Sequence, residues 1–228
     1  MVTLHELELN FLVVEAPPQP PLPKAAEDRI ELLWQRELHR GNRQLFNGPI
    51  FSLAAYRPDQ ITLQRSDYRH HFALSQDPDL RQFGLALRPL GVTGVLFCPD
   101  GLLLGKRAGT LALEAGCWET APAGSLSQIN PTKQLLEELK EEVGLEADEV
   151  TIPEPFALAE DQGSAIHDIL YRLSTPLGHR DLRARHQALS NKEYSAITVI
   201  GREETPEFLA KNRGVTLLRP ICQRLGWV

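Results

Sequence analysis

The spacing of apolar and polar positions predicts a chain of mixed strands and helices. Leu4–Val14 alternates in part between apolar and polar residues, which is typical of a strand. Ala25–His39 repeats apolar residues at helical spacing, and Thr205–Lys211 predicts a short helix with Pro206 in its first turn. Further strands are predicted at Phe51–Tyr56, Gln60–Arg65, Val92–Cys98, Leu102–Arg107, Ile166–Leu173 and Ala196–Ile200.

The stretch Pro131–Leu145 predicts a single helix with both of its ends marked. Asn130 can cap the start, and Pro131 fits the first turn because that position needs no backbone N–H. Gly144 can end the helix in a left-handed conformation. One side of the helix is apolar and is expected to pack inward, through Leu135, Leu136, Leu139 and Val143.

A second side of this helix carries Glu138, Glu141 and Glu142. Like charges at i and i+4 destabilise a helix by roughly 0.2–0.5 kcal/mol per pair, and no lysine of the helix lies within this cluster. Three carboxylates on one side suit a hard divalent cation such as Mg²⁺, which takes oxygen ligands. A solvated acidic helix explains the same residues equally well, so the pattern alone leaves both interpretations open.

Composition restricts the partners that the chain can have. The formal net charge of −6 argues against broad binding of nucleic acid or of an acidic membrane surface. The three cysteines are unpatterned, which favours a reducing cytoplasm over a disulfide scaffold. No apolar run approaches the roughly 20 residues of a membrane span, and no secretory signal pattern is present. We therefore expect a cytoplasmic protein without a membrane or nucleic-acid partner.

The loop-rich segment Gly116–Gly124 and the helix after it resemble the Nudix box, G-x5-E-x7-R-E-U-x-E-E-x-G-U with U apolar. The second half of the box matches at Glu138, Leu139, Glu141, Glu142, Gly144 and Leu145. In Nudix hydrolases the corresponding glutamates bind the metal ions that activate water against a diphosphate. The resemblance therefore implies that Glu138, Glu141 and Glu142 bind Mg²⁺, with Mn²⁺ as the alternative metal.

The first half of the box departs from the family pattern. Glu137 replaces the arginine, no acidic residue occurs between Glu119 and Glu137, and Gly124 lies one residue too close to Glu138. The two replaced residues normally pair with each other, so losing both leaves no orphan buried charge. The resemblance is therefore to a divergent Nudix box.

Two further segments resemble the Nudix branch that hydrolyses UDP-glucose and UDP-galactose: Tyr68–Phe72, which reads YRHHF, and Arg88–Gly94, which reads RPLGVTG. This resemblance implies an α/β fold, namely a Nudix α/β/α sandwich around a mixed sheet. It implies a small α+β N-terminal subdomain over residues 1–88 and a Nudix domain over 89–228. It also implies that Tyr68 and Arg69 contact the substrate.

Three other residues complete the expected site. Arg107 ends a predicted strand, where it can either reach a phosphate or remain solvated. Backbone N–H groups near Ala123–Gly124 are expected to face a phosphate. Many Nudix enzymes place a glutamate before the strand that corresponds to Ala196–Ile200, as base or extra ligand, and Glu193 occupies that place here.

The sequence thus predicts a Mg²⁺-dependent diphosphatase acting on a small nucleotide substrate, most simply a UDP-sugar cleaved to UMP and sugar 1-phosphate. Glu142 and Glu193 are the expected catalytic residues. Two alternatives stay open: a non-catalytic Nudix-like domain that senses a nucleotide sugar or binds a protein, and a hydrolase of ADP-ribose or another nucleotide. The sequence leaves the oligomeric state open.

Overall fold

The computed structural model describes residues 1–40, 46–111, 114–190 and 193–228. Its strands are β1 Val2–His5, β2 Leu12–Glu15, β3 Pro49–Arg57, β4 Gln60–Asp67, β5 Leu90–Cys98, β6 Gly101–Arg107, β7 Trp118–Thr120, β8 Ala123–Ser125, β9 Glu154–Asp161, β10 His167–Ser174 and β11 Tyr194–Ile200. Its α-helices are α1 Lys24–His39, α2 Tyr68–Gln76, α3 Pro131–Glu138, α4 His179–Ala188, α5 Thr205–Lys211 and α6 Leu218–Arg224.

Eight strands form one large mixed sheet in the order β1-β9-β10-β5-β6-β11, with β7 paired to β6 and β8 paired to β5. The β5–β10 pair is parallel, and the other pairs in this sheet are antiparallel. At the start of β5 the neighbours are therefore β10 on one side and β8 on the other. This local order determines which side chains meet in the candidate site.

Helices cover both faces of the large sheet. Leu135 of α3 and Leu182 of α4 pack in one apolar core with Val92 of β5. Leu218 of α6 packs in a second core, with Val95 on the opposite side of the same strand. Because successive strand residues face opposite ways, β5 contributes to both cores. The predicted α/β/α sandwich around a mixed sheet is confirmed.

The segment before β5 contains a three-stranded sheet in the order β2-β4-β3. Helices α1 and α2 pack together over a core that includes Ile30 and Leu74. Apolar residues of β3 and β4, such as Phe51 and Leu63, belong instead to the core that contains α3. The N-terminal sheet is therefore packed against the large sheet's α3 side. Within the described residues, no helix has the length and apolar character needed to cross a bilayer.

The N-terminal strand prediction was wrong in one respect. Leu4–Val14 is not one strand, because β1 pairs with β9 of the large sheet and β2 pairs with β4 of the small sheet. Val2–His5 thus belongs to the sheet of the expected Nudix domain although it precedes residue 88. The division into 1–88 and 89–228 stays a prediction.

The acidic helix has the predicted ends but an altered middle. The Asn130 side chain accepts a hydrogen bond from the Lys133 N–H, and Gly144 has a φ of 80°, so both end signals are confirmed. Between them, α3 is followed by one π-helical turn over Leu139–Val143. A π turn contains an extra residue compared with an α turn, so it changes the direction of the side chains after it.

Candidate functional site

A cavity of about 500 Å³ lies where the large sheet meets the N-terminal segment. Its volume falls within the range of small-molecule sites, roughly 300–1,000 Å³. Strands of the sheet contribute Gly91, Thr93, Glu119 and Asp168 to its wall, α2 contributes Tyr68 and His71, and α6 contributes Leu218 and Ile221. The wall is apolar on the α6 side and rich in carboxylates on the sheet side.

Two glutamates of the acidic helix lie directly behind the cavity wall at β8. Glu142 is buried, and its Oε2 accepts a 2.9 Å hydrogen bond from the backbone N–H of Ala123. Glu138 packs so closely on Gly124 that a Cβ there would overlap its carboxylate. Gly124 itself lines the cavity. Because Gly124 has no side chain, the Glu138 carboxylate can approach the cavity wall at this point.

These carboxyl groups are close enough to affect one another. Burial raises the pKa of Glu138 to about 7, with a further increase from the charges of Glu193 and Glu141. Burial also raises the pKa of Glu142 well above its ordinary range, and the charges of Glu138, Glu119 and Glu193 add to that rise. Glu193 lines the cavity, so the structure brings together the predicted catalytic glutamates.

Glu141 is placed differently from its two neighbours. Its side chain is exposed, whereas Glu138 is half-buried and Glu142 is buried. Glu141 remains near enough for its charge to raise the pKa of Glu138. The π turn over Leu139–Val143 accounts for the difference, because it breaks the regular α spacing that would place Glu138, Glu141 and Glu142 on one side.

The carboxylates fit a hard divalent cation in their chemistry. Glu138 Oε1 accepts a hydrogen bond from Gln134 Nε2, and none of the described lysines or arginines forms a salt bridge with Glu138 or Glu142. Burial is the main cause of both raised pKa values, and a bound cation would stabilise the charged carboxylates against burial and against their mutual repulsion. Among the described residues, however, no three His, Cys, Asp or Glu side chains are already gathered at metal-binding spacing.

Arg107 lines the cavity but is already paired. Its Nη1 donates a 2.8 Å hydrogen bond to Glu119 Oε1, and both side chains are largely buried. Burial raises the pKa of Glu119 to about 7, although Arg107 opposes that rise. The structure thus places Arg107 at the cavity as expected, but as half of an ion pair.

Glu119 was missing from the residues predicted for the site. The sequence contained a signal for it, since Glu119 follows Trp118 in the lead-in to the box. In the structure Glu119 lies on β7, where pairing with β6 puts it opposite Gly105 and within reach of Arg107.

Tyr68 and Arg69, the two residues predicted from the YRHHF segment, face different parts of the structure. Tyr68 begins α2 and lines the cavity beside His71. Arg69 points away from the cavity: its Nη1 donates a 2.7 Å hydrogen bond to Glu31 of α1, and Glu27 lies 3.6 Å from its Nη2. In this helix Tyr68 faces the cavity and Arg69 faces α1, so the structure does not place Arg69 at the cavity wall beside Tyr68.

The expected phosphate contact at Gly124 needs one correction. The N–H of Ala123, which belonged to the same predicted group, already donates to Glu142. That hydrogen bond ties β8 to the acidic helix. Gly124 still lines the cavity, and it lies opposite Val92 in the register between β8 and β5.

Comparison with known proteins supports the fold. No family model matches the chain, and none of the curated proteins matches its sequence. The crystal structure of DR0079 from Deinococcus radiodurans aligns over 77% of this chain and 98% of its own, with a TM-score of 0.53 and 14% identity. At this identity the likeness shows a shared fold.

Solved structures of Nudix hydrolases are also among the structural neighbours. A NUDIX hydrolase from Nitrosomonas europaea is 19% identical, with a TM-score of 0.44 over 60% of this chain and 69% of its own. A Nudix hydrolase from M. smegmatis, RenU, is 15% identical, with a TM-score of 0.42 over 60% of this chain and 83% of its own.

Proposed function

We propose that this protein is a Nudix-type hydrolase that cleaves the diphosphate of a nucleoside diphosphate linked to another group, with a UDP-sugar as the first candidate. The observation that carries the proposal is the placement of three glutamates at the β8 edge of a ligand-sized cavity: Glu193 lines the cavity, Glu138 packs on Gly124, and Glu142 accepts the Ala123 N–H. The match of the acidic helix to the second half of the Nudix box supports the same reaction.

Glu138 and Glu142, with Glu141 from the exposed side of the π turn, would hold Mg²⁺. Bound there, the ion supplies Lewis-acid stabilisation for the phosphoryl oxygens. These side chains also lack any cationic partner among the described residues, so their binding of a cation removes like-charge repulsion. Arg107, held by Glu119, would add positive charge at the opposite wall.

Glu193 would position the attacking water and accept its proton. In the hydrolysis, the water oxygen forms a bond to one phosphorus while the bridging P–O bond to that phosphorus breaks. The bridging oxygen leaves with the second phosphate, so a UDP-sugar yields UMP and sugar 1-phosphate. Glu193 is suited to the role because it lines the cavity and interacts electrostatically with Glu138 and Glu142.

The test is a hydrolysis panel followed by phosphorus NMR with Mg²⁺ or Mn²⁺. The panel contains UDP-glucose, UDP-galactose, ADP-ribose, ADP-glucose and a dinucleoside polyphosphate. Formation of UMP and sugar phosphate is the expected result. Cleavage of ADP-ribose instead would keep the reaction and change the substrate, whereas silence from a folded protein would favour a domain that only binds nucleotides.

Two matched variants localise the chemistry. Glu142→Gln should lower kcat by about 10²–10⁴-fold, because it removes a carboxylate from the reacting end of the cavity. Glu137→Gln makes the same change on the same helix at an exposed residue that pairs with Lys133, and should leave kcat within about twofold. Equal activity of both variants would reject the assignment of the site.

A further inference from the structure

Asp168 is the one carboxylate of β10, and it stands next to buried apolar residues. Its β10 neighbours Ile169 and Leu170 are fully buried, while its own side chain lines the cavity and is only partly accessible. Oδ1 accepts a 3.1 Å hydrogen bond from Thr93 Oγ1 on β5. Within the described part of the chain, no hydrogen bond reaches Oδ2, and that atom is not sealed from the cavity.

The carboxylate of Asp168 leans across β5 toward the reacting end of the cavity. Asp168 stands opposite Gly91 in the parallel register between β10 and β5. A Cβ on Gly91 would lie 2.5 Å from Asp168 Oδ1 and 2.9 Å from the carbonyl oxygen of Gly124. Asp168 Oδ1 and the Gly124 carbonyl oxygen therefore both approach Gly91 closely, and a group bonded to a phosphate near Gly124 would meet Asp168.

The charge around Asp168 indicates what kind of group can lie there. Asp161, another carboxylate of the wall, accepts hydrogen bonds from Gly163 N and Ser164 Oγ in its own turn. Arg107 is the one lysine or arginine among the described wall residues, and it is held by Glu119. An additional phosphate beside Asp168 would bring like charge and no hydrogen-bond donor.

We propose that Asp168 accepts a hydrogen bond from an uncharged, hydroxyl- or N–H-bearing group adjacent to the diphosphate. The cavity thereby selects nucleoside diphosphates linked to a sugar over nucleotides with a third phosphate. This inference rests on the proposed placement of the diphosphate at Gly124. Thr93 acts as a positioning residue, since its hydroxyl fixes the Asp168 carboxylate through Oδ1.

The test is calorimetric titration of UDP-glucose, UDP and UTP in EDTA, where binding is measured without turnover. Wild-type protein should bind UDP-glucose more tightly than UTP. Asp168→Asn should weaken UDP-glucose about tenfold to a hundredfold, the usual effect of losing a hydrogen bond to a charged group, and should improve UTP. If UDP keeps its affinity in the variant, the sugar contacts Asp168, as proposed. If UDP weakens equally, the contact is to the nucleoside, which UTP also carries, and the proposed selection for a linked sugar is overturned.

Control variants separate this contact from charge and folding. Glu160→Gln removes the same charge from the adjacent strand β9, outside the cavity wall, and should leave all three affinities unchanged. Thr93→Val should weaken UDP-glucose, whereas Thr93→Ser, which keeps the hydroxyl, should restore it. This pair decides the question even if Asp168→Asn does not fold.

The proposal is overturned if wild-type protein binds UTP at least as tightly as UDP-glucose, or binds no UDP-glucose. It is also overturned if Asp168→Asn or, failing that variant, Thr93→Val binds UDP-glucose as wild type does. Loss of hydrolysis across the Mg²⁺ panel with selective UDP-glucose binding intact would instead reject the proposed function and leave the role of Asp168 standing.

Discussion

At the scale of single residues, Glu138 combines burial with like charge and so links stability to pH. Its pKa of about 7 lies above the ordinary value of 4.5, with burial as the largest cause. The folded protein therefore holds a proton that the unfolded chain releases. Stability from this group is complete below about pH 4.5 and declines as the pH rises towards about 7.

In wild type, the free energy of unfolding should fall between pH 5 and pH 7.5. We accordingly expect this fall to be about 1–3 kcal/mol smaller in Glu138→Gln. Urea titrations at several pH values in EDTA measure the slope. Glu137→Gln is the control, because Glu137 is exposed and should leave the slope as in wild type. A Glu138→Gln slope equal to that of wild type would contradict the burial of an uncompensated carboxyl group here.

The Arg107–Glu119 pair yields a second prediction at the same scale. Breaking a largely buried ion pair leaves one charge without its partner, which costs roughly 3–5 kcal/mol, whereas removing both charges costs less. Arg107→Met should thus be more destabilising than the double variant Arg107→Met/Glu119→Gln. Thermal and urea unfolding of the two single variants and the double variant form the required cycle. Additive losses would mean that the two side chains do not interact in solution.

The site residues that the sequence revealed form a repeated pattern along the chain, whereas those that it did not reveal occur singly. Glu138 and Glu142 stood out because like charges recur at helical spacing. Asp168 and Glu119 lie singly in strands, and their meeting depends on the pairing of β10 with β5 and of β7 with β6. An acidic residue beside the buried residues Ile169 and Leu170 was nevertheless a signal in the sequence, because carboxylates are seldom buried without a partner.

At the scale of elements, the helices with local end signals were predicted closely, whereas elements that depend on distant partners were missed. The Asn130 cap, Pro131 and Gly144 fixed the ends of the acidic helix, and α5 has the predicted bounds, Thr205–Lys211. Helix α2 was missed because YRHHF has weak periodicity and depends on packing against Trp34. The short strands β7 and β8 were missed because their pairing is set by distant partners.

The end of the acidic helix offers a test at this scale. Gly144 has a φ of 80°, and a Cβ there would lie 3.2 Å from the carbonyl oxygen of Arg185 in α4. Gly144→Ala should lower the free energy of unfolding by about 1–2 kcal/mol, because left-handed backbone is costly for a residue with a Cβ. Gly109→Ala is the control, since a Cβ added to Gly109 would meet no heavy atom within 4 Å. Equal denaturation midpoints for the two variants would contradict the helix end described.

At the scale of the whole molecule, the candidate site depends on both halves of the chain. Tyr68 and Phe51 line the cavity from the N-terminal part, and Gly124, Asp168 and Glu193 line it from the remainder. The family resemblance implied a small N-terminal α+β subdomain. The sequence could not show that β1 crosses into the large sheet, because edge-strand pairing leaves no local pattern along four residues.

Shared packing makes the two halves depend on one another for stability. Phe51, Leu53, Ile61 and Leu63 lie in the core that contains Leu135 of α3, and β1 completes the edge of the large sheet beside β9. A fragment of residues 89–228 would expose this apolar surface and an unpaired strand edge, both of which promote aggregation. We therefore expect the 228-residue chain to unfold in one transition, and the fragment to be aggregated or partly unfolded.

Tryptophan fluorescence can follow this coupling because the tryptophans are divided between the halves. Trp34 is buried in α1, whereas Trp118 and Trp227 pack around the core beneath α6. In urea, the variant Trp34→Phe keeps Trp118 and Trp227 and so reports unfolding of the core beneath α6. The variant Trp118→Phe/Trp227→Phe keeps Trp34 and so reports unfolding around α1. Coincident midpoints, matched by far-UV circular dichroism, are expected from a shared core. Two separated midpoints, or a monomeric 89–228 fragment with native-like dichroism, would instead show that the halves fold independently and that the cavity joins two separable units.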